Sequence, residues 1–542
     1  MHDIDKNNRW VVCLSMLAVT LPAMSSAATE SPSAVASETV VDAAQAPRVN
    51  INEYIVRGNT VLSAREIEKA VYPFLGPQRT LADVESAQQA LQQIYHSKGY
   101  QSVYVALPEQ QVSGGVVYLQ VTETRVGRVR VVGAKYHSPL AIRDEVPALA
   151  EDKVPNFGKV QDELSAVNRS GERQVTPTVK EGVVPGTMDV DLNVDDKNPW
   201  GGSLTLNNDY SADTKRLRAI ASLSNSNLWQ KGHSASLTFF TAPEKTDNAK
   251  VWSASYSLPL SEQWALRFSG YQSDSDVATV GGTNVLGKGH SYGATTIYTL
   301  PSGGEWTHQL SLGLEFKDFD ENVMYGGVED RVPLKYAPFT FGYSGYYFND
   351  RRQGNLSLSI VTATSDFLHY GSDYDEFDRK RYRASKDFAL LKGDAGLTEA
   401  LGGDWLLAVK SAFQIASGPL VSNEQFSAGG ATSVRGYLAA EQSADDGVMG
   451  SVELRTPSFS SWVGSPVTEL RLHAFTDAAQ LWLRDALPEQ KDSFNMASVG
   501  VGASAAISDW LYGNVDLGLP LIEGPNTGKN DPRAQFSVSA NF

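Results

Sequence analysis

The sequence predicts a mixed fold, with two small α/β units in tandem followed by a 16-stranded antiparallel β-barrel that spans a membrane. Three observations predict it. Up to about residue 197, strand-like and helical periodicities follow the order β-α-α-β-β, twice. From Trp200 the helical period stops and a period of two begins: Trp252, Ala254, Tyr256 and Leu258 alternate with Ser253, Ser255 and Ser257. Every tryptophan beyond Trp10 lies at or after Trp200.

The amino terminus reads as an export signal over residues 1–27. Lys6 and Arg9 precede the apolar run Trp10–Leu21, and Ser25-Ser26-Ala27 supplies the small residues of a cleavage site. The run falls short of the roughly 20 residues that a spanning helix needs. The only cysteine, Cys13, lies inside it, so the exported chain is expected to hold no disulfide and no thiolate metal site. Residues 28–48, rich in Ala, Ser, Thr and Val, read as a linker or a short plug segment.

The first α/β unit is expected over 49–124. Val49–Val56 is strand-like and Gly58-Asn59 is a turn. Ser63 with Glu66 makes a capping box for a helix Ala64–Phe74. A second helix, Leu81–Lys98, has Val84, Ala87, Leu91 and Ile94 on one stripe and stops at Gly99. Strands Ser102–Ala106 and Val116–Thr122 complete the unit. A second unit, 125–197, repeats the order: a strand Val126–Val132, helical segments Pro139–Ala150 and Gly158–Asn168, and strands Val175–Val179 and Met188–Val194.

The barrel is expected over 198–542. Sixteen segments share about 340 residues, roughly 21 each, enough for a tilted strand and a connection. Trp229, Trp264, Trp306, Trp405, Trp462 and Trp510 fall at connections that an up-and-down barrel places on one rim, as an interfacial girdle requires. The opposite connections, such as Lys317–Arg331 and Asp366–Lys380, read as long acidic loops. Ala534, Phe536, Val538, Ala540 and Phe542 alternate to the last residue.

Enzymatic chemistry finds no foothold. No His-x-His or His-x-x-x-His pair suits zinc. Gly289-His290-Ser291-Tyr292-Gly293 spells Gly-x-Ser-x-Gly but lies in the alternating region rather than at a strand-to-helix turn. Gly282–Lys288 has Gly-x-x-x-x-Gly-Lys spacing but is followed by Gly289, where a phosphate-cradling loop needs Ser or Thr. The run Asp373–Asp378 lacks the ligand spacing of a calcium loop and reads as a solvated loop. No cofactor, metal or catalytic residue is expected. A net charge of −16 argues against nucleic acid as a partner.

Two sets of motifs carry a resemblance. Gly58-Asn59-Thr60, Gly99-Tyr100, Leu107-Pro108-Glu109-Gln110, Gly114-Gly115 and Val121-Thr122-Glu123, in that order, resemble the first POTRA domain of the haemolysin and filamentous-haemagglutinin transporters of two-partner secretion (type V secretion). Thr124 stands where the family usually has glycine. Phe426-Ser427-Ala428-Gly429-Gly430, Val434-Arg435-Gly436-Tyr437, Asp446-Gly447 and Ser451-Val452-Glu453-Leu454-Arg455 resemble the inward-folding loop of the POTRA–barrel superfamily, here 417–446. Gly436 permits a tight turn, and Arg435 offers a planar fork suited to a carboxylate. The expected acceptor is Asp477, in Phe475-Thr476-Asp477-Ala478-Ala479, where Ala479 replaces the family's usual glycine.

The resemblance implies two periplasmic POTRA domains below a barrel in the outer membrane of a Gram-negative bacterium. It implies a large secreted exoprotein as partner, a β-helical adhesin or haemolysin, bound through Gly58, Asn59, Tyr100, Pro108 and Gln110. It implies a lumen-loop lock of Arg435, Gly436, Tyr437, Phe475 and Asp477. Outer-membrane lipid, lipopolysaccharide and, during biogenesis, the barrel-assembly machinery are further expected partners. The alternative is an insertase of the same superfamily, which assembles other barrels; a passive porin is a third reading.

Overall fold

The computed structural model describes residues 48–168, 173–212, 214–275, 288–301, 304–325, 328–363 and 370–542, with the side chains of 321–331 left aside. The expected signal, Cys13 and the 28–47 segment lie outside these residues. The chain divides into two compact units between Asn198 and Pro199.

In the first α/β domain, Ser63 donates from its N–H at 2.9 Å and its hydroxyl at 2.7 Å to Glu66, opening the helix Ala64–Val71. Thr80 and Asp83 open the helix Leu81–Ser97 in the same way. That helix buries Val84, Ala87, Leu91 and Tyr95. It covers a sheet in the order Glu53–Arg57, Val116–Glu123, Val103–Ala106. Two expectations change. The helix after Ser63 tightens to a 3₁₀ turn at Tyr72–Phe74, where Pro73 brings no N–H. The single strand expected over 49–56 is two: Val49–Ile51 pairs with Gly76–Arg79, and the N–H groups of Asn52 and Glu53 then both turn to Gly115 O, at 2.7 and 3.2 Å.

The second domain orders its strands Arg125–Val132, Thr187–Asp196, Arg173–Glu181 under the helices Pro139–Asp144 and Phe157–Val167. Its core is Val126, Ile142, Leu149, Val160, Val190 and Leu192 among others. Pro147 splits the expected helix 139–150 into a helix and a 3₁₀ turn, Pro147–Leu149. Asn156 Nδ2 bonds Lys98 O at 2.7 Å and Phe157 N bonds Gly99 O at 2.8 Å, joining the two domains.

From Trp200–Asn207 to Arg533–Asn541 each barrel strand pairs antiparallel with the next, and the last closes on the first. Val328–Tyr336 and Pro338–Phe348 continue one strand, because Trp306 faces Tyr347 and Lys317 faces Tyr336 in a single register. The barrel therefore has sixteen strands. This overturns one expectation: Lys317–Arg331 is mostly a hairpin, Trp306–Tyr325 running on past the neighbouring strands before returning. The closure is short, from Ser537–Asn207 to Asn541–Ser203, and is extended by Phe542 and Gly202, which exchange backbone bonds of 2.9 and 3.0 Å.

Trp229, Trp264, Trp306, Trp405, Trp462 and Trp510 all sit at the end where short connections join the strands. Leu237, Phe268, Leu312, Ile360, Val501 and Val515 stand exposed on the outer wall, the placement that lipid rewards. No described helix is long and apolar enough to cross a membrane, which does not bear on a barrel.

Candidate functional site

Between the eleventh strand, Leu406–Ala416, and the twelfth, Asp446–Arg455, the chain folds into the barrel. Its stem is a hairpin, Phe426–Ala428 with Gln442–Ala444. Its tip carries Val434-Arg435-Gly436-Tyr437, whose valine and tyrosine are fully buried.

The receiving wall is prepared by strand register. Ser451 faces Asp477, and Glu453 faces Phe475. Phe475 faces Gly500, which faces Gly518; His473 faces Gly502, which faces Asp516. Cross-strand neighbours share a face, so three rows of side chains point into the lumen under the tip. Glycine in the middle row makes room: a Cβ on Gly500 would stand 2.2 Å from the Phe475 ring.

Arg435 meets this wall with its whole fork. Nε donates to Asp477 Oδ2 and Nη2 to Asp477 Oδ1, each at 2.9 Å, and the Arg435 backbone N–H adds a bond of 3.0 Å to Oδ2. Nη1 donates to Glu453 and lies 3.7 Å from Asp516 Oδ1, while Nη2 reaches Ser451 Oγ at 3.2 Å. The guanidinium carbon sits 3.5 Å above the centre of the Phe475 ring. Phe475 therefore lies on Asp477's own face. Gly436, at φ +90°, packs backbone to backbone on Gly518; a Cβ there would stand 3.0 Å from the Gly518 carbonyl carbon. Gln535 takes the Gly436 N–H at 3.0 Å and donates to Tyr437 O at 3.3 Å. The Tyr437 hydroxyl donates to Ile522 O at 2.6 Å. All five residues named for the lock thus converge.

Others were missed. Glu453 stood in a quoted motif without a role; Ser451, Asp516 and Gln535 had none. Their signal, polar residues at inward positions of alternating strands, becomes readable only with the register. Asp516 itself is held by His473 Nε2 at 2.6 Å and Asn514 Nδ2 at 2.5 Å.

Two more carboxylates fix the loop toward the end with long connections. Buried Glu424 accepts from Lys317 at 2.6 Å and from the Tyr336 hydroxyl at 2.9 Å, with Lys392 at 3.7 Å. Asp445, with no exposed surface, accepts from both Nη groups of Arg381, from Leu420 N at 2.8 Å and from Arg484 N at 2.7 Å. Arg381 also donates to Leu420 O at 2.7 Å and Arg484 O at 3.0 Å. It follows the short helix Tyr374–Lys380 of an external connection, whose Phe377 is buried with Leu334, Tyr336, Phe388 and Leu420.

In the first α/β domain the five expected contact residues are placed differently. Asn59 bonds Leu62 at both its N–H (3.1 Å) and carbonyl (3.0 Å) and accepts the Tyr95 hydroxyl at 2.6 Å. Gln110 pairs with both backbone groups of Tyr118, at 2.7 and 2.8 Å. Tyr100 packs against the core. Gly58 and Pro108 are exposed. Among the described residues no group of His, Cys, Asp and Glu is arranged for a metal ion.

The family described as haemolysin secretion/activation protein ShlB/FhaC/HecB matches residues 186–505, and the ShlB-type POTRA domain matches 49–124. The outer membrane transporter CdiB of Dickeya dadantii is 23% identical over 513 residues, covering 89% of this chain and 84% of its own. The heme/hemopexin transporter protein HuxB of Haemophilus influenzae is 20% identical over 499 residues, covering 89% and 85%. The structure of CdiB from Escherichia coli superposes with a TM-score of 0.57 at 21% identity, over 94% of this chain and 93% of that one, a likeness of fold.

Proposed function

The chain belongs to the ShlB/FhaC/HecB family of haemolysin secretion/activation proteins and is an outer-membrane transporter of two-partner secretion, and from this premise we propose how its parts divide the work. The two POTRA domains, 49–124 and 125–197, stand in the periplasm and take hold of an unfolded exoprotein, a β-helical adhesin or haemolysin. Extended chain suits strand addition, in which main-chain bonds supply affinity without demanding one sequence. The exoprotein then passes through the lumen of the barrel, 198–542, and folds outside.

The inward loop 417–446 holds the resting barrel. The observation that carries this reading is the buried fork of Arg435 on Asp477 and Glu453. Breaking such a pair strands a charge away from water, at a cost on the order of 3–5 kcal/mol, so the loop has discrete held and released states. Outer-leaflet lipid and lipopolysaccharide would bathe the exposed apolar wall, and the carboxy-terminal strand ending at Phe542 would be the handle for the barrel-assembly machinery.

The test is export of the exoprotein encoded beside this gene. Co-expression with the wild-type chain should release it to the medium. Arg435→Ala and a deletion of 49–124 should each abolish release while the barrel still reaches the outer membrane. Export that proceeds without this protein, together with failed assembly of other barrels, would replace the transporter by an insertase.

A further inference from the structure

A strand can add only to a sheet edge whose outward N–H and C=O groups are unpaired. The three-stranded sheets of the two POTRA domains have four edges, and three are capped in part by side chains or loops of their own domain. Along Val103–Ala106, Gln88 Nε2 donates to Val105 O at 2.6 Å and Gln92 Oε1 accepts from Val105 N at 3.2 Å. His96 Nε2 lies 3.2 Å from Val103 O. These three side chains recur every fourth residue, so one stripe of the helix Leu81–Ser97 caps the edge. Along Arg173–Glu181, Asn168 bonds the N–H and C=O of Val175 at 2.7 and 3.0 Å, and Pro177 has no N–H to offer. Along Arg125–Val132, Val126 bonds Lys153 O at 2.9 Å and Asp152 N at 2.8 Å, and Val129 N is taken by Glu151 at 3.3 Å.

The fourth edge, Glu53–Arg57, differs. It runs parallel to its neighbour in the register Glu53↔Val116 to Arg57↔Gln120, and Glu53 N donates into the sheet. Bonding residues alternate along a parallel ladder, so residues 53, 55 and 57 face the sheet and the N–H and C=O of Tyr54 and Val56 face outward. No described residue bonds to those four groups. The Tyr54 and Val56 side chains pack against the core, while Arg57 lies 4.5 Å over the Tyr118 ring on the outer face.

We propose that an extended segment of the unfolded exoprotein adds to the Glu53–Arg57 edge as a fourth strand of the first POTRA domain, pairing with the backbone of Tyr54 and Val56. The proposal rests on the transporter reading above. The segment needs free N–H groups at the paired positions, hence no proline there, and an apolar side chain to lie beside Ile55. The Val103–Ala106 edge is not the docking edge, because a client strand would first have to displace Gln88, Gln92 and His96.

The experiment places the photo-cross-linker p-benzoylphenylalanine at Ile55 or at Tyr104 in the full-length protein. The neighbouring exoprotein is co-expressed with a folded domain fused to it, so that export stalls. Cross-links to the exoprotein are expected from position 55 and not from 104. In a second measurement Val56→Pro removes one outward N–H without taking a bond from the sheet, and export should fall about tenfold. The double variant Gln88→Ala/Gln92→Ala, which uncovers the other edge, should leave export unchanged. Cross-links from 104 instead of 55, from neither position, or wild-type export by Val56→Pro each overturn the proposal. If Val56→Pro loses the protease resistance of the arm, the cross-link at 55 decides alone. Failure of the wild-type chain to export the exoprotein would sink the transporter reading itself, a result distinct from all of these.

Discussion

Lysine in place of Arg435 would keep the positive charge and lose the fork. Asp477 now accepts three bonds from Arg435, two from the guanidinium and one from the backbone, and the plane that lets the guanidinium do so also stacks it on Phe475. An ammonium can satisfy Asp477 or Glu453 but cannot fork across both and stack. Export by Arg435→Lys should therefore fall close to the Arg435→Ala level, with barrels that still migrate as folded species in unboiled gels; near-wild-type export would reduce the lock to a point charge. Shape can be tested apart from charge. A Cβ on Gly518 would stand 2.7 Å from Gly436 N, so Gly518→Ala should lift the tip and reproduce the export defect. Gly513 lies on the same strand with nothing within 4 Å of its Cβ position, and Gly513→Ala should export normally. A secretion assay of the pair separates tip docking from general barrel damage. Arg435, Gly436 and Asp477 were legible because each has a residue-specific reason to be there. Glu453 and Asp516 were not, because a carboxylate on a barrel strand is informative only once its cross-strand neighbours are known.

At the level of elements, what the sequence hides is where a strand changes partner. The helices of the arm were legible from caps and stripes. The ribbon Val49–Ile51 with Gly76–Arg79 was not: its second strand is four residues containing Gly76 and Pro77, a composition that reads as a turn. The extension of Trp306–Tyr325 was hidden for a similar reason, since the acidic residues past Lys317 resemble loop although the backbone remains paired to Val328–Tyr336. The outer face of the second POTRA sheet is the clearest case of an element whose chemistry follows from pairing. Parallel strands bring Arg128 to Asp189 at 3.1 Å and Arg130 to Asp191 at 2.8 Å, and Lys180 approaches Asp191 from the other side at 2.7 Å. Arg130 first, then Lys180, pull the Asp191 carboxyl down to about 2. The folded value lies below the unfolded one, roughly 3.9, so this contribution to stability is fully present above pH 4 and is lost as pH falls toward 2. Proteolytic clipping of the arm in the intact protein should accelerate across that window. Asp191→Asn should clip faster at neutral pH and show a shallower acid response; an unchanged acid response would assign the window to other carboxylates.

At the scale of the whole barrel, the inward loop is held at three separate places. Its tip is fixed by Asp477 and Glu453, its near limb by Lys317 through Glu424, and its root by Arg381 through Asp445. The last of these reaches beyond the loop, because Arg381 belongs to the external connection that buries Phe377 against the strand ends and also holds the carbonyl of Arg484 from another connection. One guanidinium thus ties two external connections to both ends of the loop. On the proposed reading the mouth and the loop move as one body, and a chain leaving the lumen would part Arg381 from Asp445 as well as Arg435 from Asp477. Asp445→Asn keeps the size of the side chain and removes its charge, leaving the half-buried Arg381 against carbonyls and an amide. Breaking a fully buried pair costs on the order of 3–5 kcal/mol, and this one less in proportion to its exposure. The expected outcome, measured on the purified full-length protein in planar bilayers, is more frequent and larger conductance steps than wild type at the same voltage. Arg381→Ala should match it, and the double variant should exceed neither single by much, since both remove one interaction. If all three conduct like wild type, the external connection moves independently of the loop, and the tip at Arg435 alone governs passage.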